Sequence, residues 1–203
     1  ITRMDRLIPA VVHFHIGSQI TEVGPYRETL EKIAPLIARL REEGLDIRYF
    51  NLGGGLGIIY KEESPSTAAR FAESVLPLVV PMNVELLMEP GRFIVGNAGV
   101  LLTRVIYIKD TESKTFAIVD AGMNDLIRPT LYGAYHEILP VAPRGADKKI
   151  YDVVGPVCET GDFFAKERTL EEVRAGDLLA IKSAGAYGFV MASNYNTRPR
   201  PPE

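Results

Sequence analysis

Asn51-Leu52-Gly53-Gly54-Gly55-Leu56-Gly57 packs four glycines into five positions, directly after a short apolar run containing Ile47, Tyr49, Phe50 and Leu52. The run reads as a buried strand. A backbone without Cβ atoms can take φ > 0 and come close to a ligand. Its successive N–H groups can converge into an anion-binding nest that suits a phosphate. The stretch fits equally a tight strand-to-helix turn with no ligand. His15 stands at another predicted strand end, beside Gly17 and Ser18, where it is either a structural or a catalytic residue. His13 lies on the same strand face, but no Asp, Glu or Cys cluster at ligand spacing accompanies the pair, so no metal is expected. Glu89 and Arg92 flank Pro90-Gly91, whose turn fixes their directions. They are either a surface pair or a carboxylate and a guanidinium aimed into one rim. Cys158-Glu159 lies in a loop too glycine-rich for core. A thiol there, next to an acid, is a candidate for proton transfer, against the alternative of a small buried hydrophobe.

The elements that must hold these residues follow from the patterning. Leu7 to Ile16 reads as a strand ending at Gly17-Ser18-Gln19. From Pro25 to Glu43, Leu30, Ile33, Ala34, Ile37 and Leu40 form a one-sided stripe that predicts a helix, stopped by Gly44. The glycine-rich strand comes next, then a polar loop and a helix expected over Thr67 to Leu76. A third strand, Val84 to Met88, ends at Glu89. The strands start near residues 10, 47 and 84, an even spacing within the range of a βα repeat. Their polar and glycine ends resemble the C-terminal rim of a βα barrel, where ligand-binding residues sit.

Beyond Gly99 the texture changes. Leu101 to Ile108, Thr115 to Val119, Tyr151 to Val154 and Asp177 to Ile181 are β-rich, and helical periodicity is scarce. A boundary near residue 97 is expected, with an all-β module after it. Pro199, Pro201 and Pro202 exclude the tail from any central strand.

The 203 residues are 46% hydrophobic and 24% charged, an ordinary globular composition sufficient for one large or two small domains. A net charge of -3 with pI near 5.7 gives no electrostatic basis for nucleic acid or anionic membrane. Cys158 is the single cysteine, which excludes an internal disulfide framework and fits a reducing, cytoplasmic compartment. No apolar run reaches membrane-spanning length. The chain opens on Ile1 rather than Met, in what reads as mid-domain sequence, so a fragment of a longer protein is expected.

His13 to Gln19, Asn51 to Gly57 and Glu89-Pro90-Gly91-Arg92-Phe93 resemble, in that order, motifs of the fold-type III pyridoxal-phosphate decarboxylases. Asn124 to Gly133, Gly155 to Asp162 and Gly185-Ala186-Tyr187-Gly188 are similar to the diaminopimelate decarboxylase branch in particular. Six motifs spread over nearly the whole chain make the resemblance specific, where fold alone would not be. It implies the last βα units of an alanine-racemase-like TIM barrel over residues 1–97, then an all-β domain over 98–203 that lacks its end. It implies decarboxylation of meso-2,6-diaminopimelate to L-lysine, the last step of lysine biosynthesis, with pyridoxal 5'-phosphate as cofactor.

Carried over residue by residue, the resemblance puts His15 against the pyridoxal ring and Ser18, Gly53, Gly54 and Gly55 at its phosphate. Gly91 and Arg92 border the cofactor. Glu89 keeps the pyridine nitrogen protonated, which makes the ring a better electron sink. Arg92, Arg128 and Tyr132 take the distal end of the substrate, where a guanidinium fork suits a carboxylate. Glu159 neutralises the distal ammonium, Tyr187 contacts cofactor and substrate, and Cys158 returns a proton to the α-carbon. The Cys158 loop of the family serves the other subunit, which implies a homodimer with shared sites.

One departure is large. The family's cofactor lysine lies on an early barrel strand in a tyrosine-alanine-valine-lysine context, and none of Lys32, Lys61, Lys109, Lys114, Lys148, Lys149, Lys166 or Lys182 has it. The fragment alone is therefore expected to be inactive. One alternative is a decarboxylase for ornithine, arginine or carboxynorspermidine, disfavoured because a carboxylate-free distal end leaves Arg128 nothing to bind. The other is a non-catalytic homologue that binds partners.

Overall fold

The computed structural model describes residues 6–202, so the outermost positions of the two expected domains, 1–5 and 203, lie outside the described residues. The chain divides into two compact units, Ile1–Ile59 with Glu63–Phe93, and Tyr60–Glu62 with Ile94–Glu203.

In the first unit, strands β1 (Val11–His13), β2 (Tyr49–Asn51) and β3 (Glu85–Leu87) form a parallel sheet in sequence order. Helix α1 (Gly24–Glu42) joins the first two strands and α2 (Ala68–Val79) joins the second and third. Register pairs Val12 with Phe50 and Phe50 with Leu86. These three belong to one apolar cluster with Tyr26, Leu30 and Ile37 of α1 and Phe71, Val75 and Val79 of α2. Burying a side chain such as Phe50 or Leu30 contributes about 1.5–3 kcal/mol. Alternation sends Val11, His13 and Leu87 to the other face, where they are exposed. Parallel sheets are normally covered on both faces; among the described residues, this one is covered on one.

Pro25 opens α1 at a position where its missing N–H costs nothing. Gly44, at φ +88°, closes it: Gly44 N–H donates to Arg41 O and Leu45 N–H to Leu40 O, a Schellman cap sealed by the two leucines. Thr67 caps α2 by accepting from Arg70 N. That helix runs past Leu76, where the sequence places its end, to Val79. Pro77 removes one hydrogen bond, but buried Val75 and Val79 hold the last turn against the core.

The second unit follows α3 (Gly91–Val95), a short helix that starts within the first unit. Its strands are β4 (Leu101–Asp110), β5 (Thr115–Val119), β6 (Ile138–Pro140), β7 (Lys148–Val154), β8 (Phe163–Glu171) and β9 (Leu178–Ile181), with α4 (Arg128–Tyr132) before β6. They form one sheet in the order β6-β9-β4-β5-β7-β8, antiparallel except for β5 with β7. The edge strands β6 and β8 return to each other's side, so the sheet is barrel-like and nearly closed. Val105, Val119, Tyr151, Phe164, Leu179 and Ile181 fill its interior.

Sequence patterning gives no strand to β6 or β8 and no helix to α3 or α4. β6 has three residues and α3 and α4 have five each, too short to show a period. Register shifts in the β7–β8 pairing at Tyr151/Val153 and Val153/Val154 break the two-residue alternation of β8. No helix among the described residues is long and apolar enough to cross a membrane.

Candidate functional site

The sequence-predicted residues fall into two groups, one in each unit. In the first unit they gather at the C-terminal ends of the parallel strands. Asn51, last in β2, is the hub. Its Oδ1 accepts from Gly53 N at 2.8 Å and its Nδ2 donates to Glu89 Oε1 at 2.8 Å. His13 Nε2 lies 3.6 Å from the same carboxylate oxygen. Glu89 N–H donates to Gly53 O at 2.8 Å, so the end of β3 is stitched to the glycine loop. Gly54 N–H donates to His15 Nδ1 at 3.4 Å, which lays the imidazole beside the loop. The two histidines thus serve different partners.

The glycines answer first to this packing. A Cβ on Gly53 would collide with the Phe14 carbonyl, one on Gly54 with the Glu89 carbonyl and one on Gly55 with the Gly17 carbonyl. Gly53 and Gly55 also take φ +69° and +94°, conformations that L side chains rarely adopt. Beneath them Tyr26 donates its hydroxyl to Gly54 O, and burial pushes that phenol up to about 12. Two of the N–H groups expected at a phosphate, those of Gly53 and Gly54, are held by Asn51 and His15. The N–H of Gly55 and the hydroxyl of Ser18 have no protein partner among the described residues. Gly91 and Arg92 begin α3 in the turn after Glu89, where Gly91 N–H donates to Glu89 O. Lys32 is the first unit's lysine, exposed on α1.

In the second unit, Arg128 opens α4 and Tyr132 closes it, with Gly133 at φ +61° capping back to Arg128 O. Arg128 is only 6% exposed, whereas Tyr132 is 62% exposed. The guanidinium stands over the Tyr60 ring at 4.7 Å, and its Nη1 lies 2.9 Å from His136 Nε2. His136 is fully buried, its Nδ1 is 2.8 Å from Lys182 O, and burial brings its pKa down to about 4.

Between Arg128 and Tyr132, the Thr130 hydroxyl donates to Gly161 O, tying α4 to the loop that carries Cys158 and Glu159. Both of those side chains are exposed. Glu159 accepts from Gly161 N at 3.4 Å and from the Tyr195 hydroxyl at 3.3 Å, and its charge raises the Tyr195 pKa. Asp162, buried at the loop's end, accepts from Val157 N at 2.5 Å and Met123 N at 2.6 Å. Desolvation raises its pKa. Tyr187 sits at φ +59°, between Gly185 and Gly188, which pack on the Val95 and Ala184 carbonyls. A bulky residue held there is strained, as residues at functional sites often are.

Sequence reasoning singles out no role for Asn51, Thr130, His136 or Asp162. Asn51, Thr130 and Asp162 stand inside the quoted motifs, and that was their only signal. His136 shows no periodicity or cluster to mark it. Of the second unit's lysines, Lys114, Lys149 and Lys182 are bound to Asp152, Asp110 and Glu137.

Residues 11–185 match the family described as pyridoxal-dependent decarboxylase, C-terminal sheet domain. The diaminopimelate decarboxylase of Aquifex aeolicus is 50% identical over 203 residues, all of this chain and 48% of that protein. That of Pseudomonas aeruginosa is 53% identical over 200 residues, 98% of this chain and 48% of that one. A crystal structure of an Aquifex aeolicus protein superposes with a TM-score of 0.96 at 50% identity, covering 98% of this chain and 50% of the other. The Helicobacter pylori diaminopimelate decarboxylase complexed with L-lysine gives 0.93 at 43% identity, covering 98% and 50%. The chain spans about half the length of the relatives it matches.

Proposed function

Since the chain belongs to the pyridoxal-dependent decarboxylase family, we propose that it serves as the carboxy-terminal half of an enzyme that decarboxylates meso-diaminopimelate to L-lysine. The observation that carries this reading is the bond from Thr130 to Gly161. It fixes the helix with the buried guanidinium relative to the thiol-carboxylate loop, so each chain carries groups suited to a distal carboxylate and a distal ammonium, the loop's share being offered to the partner's site. About 50% identity to named diaminopimelate decarboxylases along the whole chain supports it independently.

The first unit's strand ends fit pyridoxal phosphate. Ser18 and Gly55 offer unengaged donors for a phosphate. Gly53 and Gly54 shape the loop, His15 lies beside it to meet a ring face, and Gly91 and Arg92 follow the turn. Glu89 is a carboxylate oriented by Asn51 and able to hold a protonated pyridine nitrogen. When bound, the cofactor supplies a sink for the electron pair left by the departing carboxylate. The residues of this chain do the rest. Arg128, with Arg92 and Tyr132, grips the distal carboxylate; a guanidinium suits it because its fork matches two oxygens. Glu159 balances the distal ammonium, and Tyr187 contacts substrate and cofactor. Cys158 Sγ delivers a proton to the α-carbon after carbon dioxide leaves. The cofactor lysine belongs to the longer protein.

The sheet covered on one face supports placing residues 1–97 as the last βα units of a TIM barrel, with the β-domain over 98–203. We place the working enzyme in the cytoplasm as a homodimer in which the Cys158 loop completes the partner's site. The test is carbon dioxide release by the purified full-length protein loaded with pyridoxal phosphate. Turnover of meso-diaminopimelate well above ornithine and arginine is expected. Preference for either of those would refute the assignment.

A further inference from the structure

We infer that His136 is a positioning residue for Arg128, holding its guanidinium in the orientation that receives the distal carboxylate. The inference rests on the reading of Arg128 given above and adds a residue to it. A guanidinium only donates, so the 2.9 Å contact from Arg128 Nη1 requires a lone pair on His136 Nε2. A carbonyl only accepts, so the 2.8 Å contact from His136 Nδ1 to Lys182 O requires the proton on Nδ1. The two partners demand the same neutral tautomer, independently. Full burial favours that neutral form as well.

The support behind the ring is rigid. Lys182 directly follows β9, and its N–H donates to Glu137 O at 2.8 Å, continuing the β6–β9 ladder. Arg168 of β8 donates to His136 O at 2.7 Å and fixes the backbone from the other side. Tyr60 closes the arrangement edge-on to the imidazole at 5.5 Å while carrying the guanidinium on its face. Arg128 itself starts a five-residue helix, which cannot hold a long side chain by its own ladder. An imidazole fixed to a sheet end removes rotamers that the guanidinium would otherwise lose on binding substrate.

The test is done in the full-length holoenzyme. His136→Asn keeps an amide donor near the Nδ1 position for Lys182 O and removes the acceptor facing Arg128. It is expected to raise KM for meso-diaminopimelate about tenfold while kcat stays within about twofold. His136→Gln, with an acceptor near the Nε2 position, is expected to stay within about threefold of wild type in both. A merely structural role would lower the amount of active enzyme, and so kcat, without moving KM. Unchanged KM in His136→Asn, with KM raised in Arg128→Ala, overturns the inference. Unchanged KM in both overturns the role of Arg128 instead. If His136→Asn does not fold, nitrogen-15 spectra of histidine-labelled wild type decide, with the resonance assigned by its loss in His136→Gln. A proton on Nδ1 alone at neutral pH is expected, and a protonated Nε2 overturns the inference because it cannot accept from Arg128.

Discussion

The hydroxyl of Thr130 donates to the carbonyl of Gly161, and through that bond the helix carrying Arg128 and Tyr132 is anchored to the loop carrying Cys158 and Glu159. A Cβ on Gly161 would stand 2.6 Å from Thr130 Cγ2, so the contact has no slack. Thr130→Val keeps the shape and removes the donor. A lost hydrogen bond of about 0.5–1.5 kcal/mol corresponds to a two- to tenfold drop in kcat/KM for diaminopimelate in the full-length enzyme. Thr130→Ser should restore most of it.

The glycine loop predicts a stability contrast. Gly53 combines φ +69° with a Cβ collision against backbone, whereas Gly133 has φ +61° and open space. Gly133→Ala should cost about 1 kcal/mol, the ordinary penalty for a left-handed alanine. Gly53→Ala should cost several times more, because the strand end itself must move. Thermal unfolding of both variants decides, and equal midpoints would contradict the packing account of the loop.

Acid stability should report on His136. Its folded pKa of about 4 lies below the ordinary 6.5, so the unfolded chain binds more protons between those values. The stabilisation from keeping the ring neutral is complete above about pH 6.5 and is lost as pH falls to about 4, on the order of 3 kcal/mol in all. His136→Gln should flatten that part of the profile. An unaltered slope in urea unfolding at successive pH values would contradict the buried neutral imidazole.

Cys158→Ala should slow turnover by roughly 10²- to 10⁴-fold, the range for a lost general acid. Mixed with a full-length variant lacking the cofactor lysine, it should regain activity through hybrid dimers. A mixture as inactive as its parents would sink the shared-site proposal.

Both units owe much of their visible pattern to ordinary signals. The stripe from Leu30 to Leu40 and Gly44 announced α1, and evenly spaced strand starts with polar and glycine ends announced where Glu89 and the glycines gather. The support behind those residues was not legible. Asn51 acts through side-chain bonds to Gly53 and Glu89, and His136 through a tautomer fixed by Arg128 and Lys182. Two of these bonds, Asn51 to Glu89 and His136 to Lys182, join residues far apart in sequence, and no local period records any of the four. The glycine loop shows the same limit from the other side. A run of glycines signals close approach, but only the structure shows that the approaching atoms are the carbonyls of Phe14, Glu89 and Gly17.

The central claim is that Arg128 selects a substrate with a distal carboxylate. The measurement that tests it most directly is kcat/KM for meso-diaminopimelate in full-length Arg128→Ala, with cofactor binding followed in parallel. Loss of a charge-assisted contact worth about 1.5–3 kcal/mol predicts a fall of roughly 10- to 100-fold, with pyridoxal phosphate bound as in wild type. An unchanged kcat/KM would contradict the account.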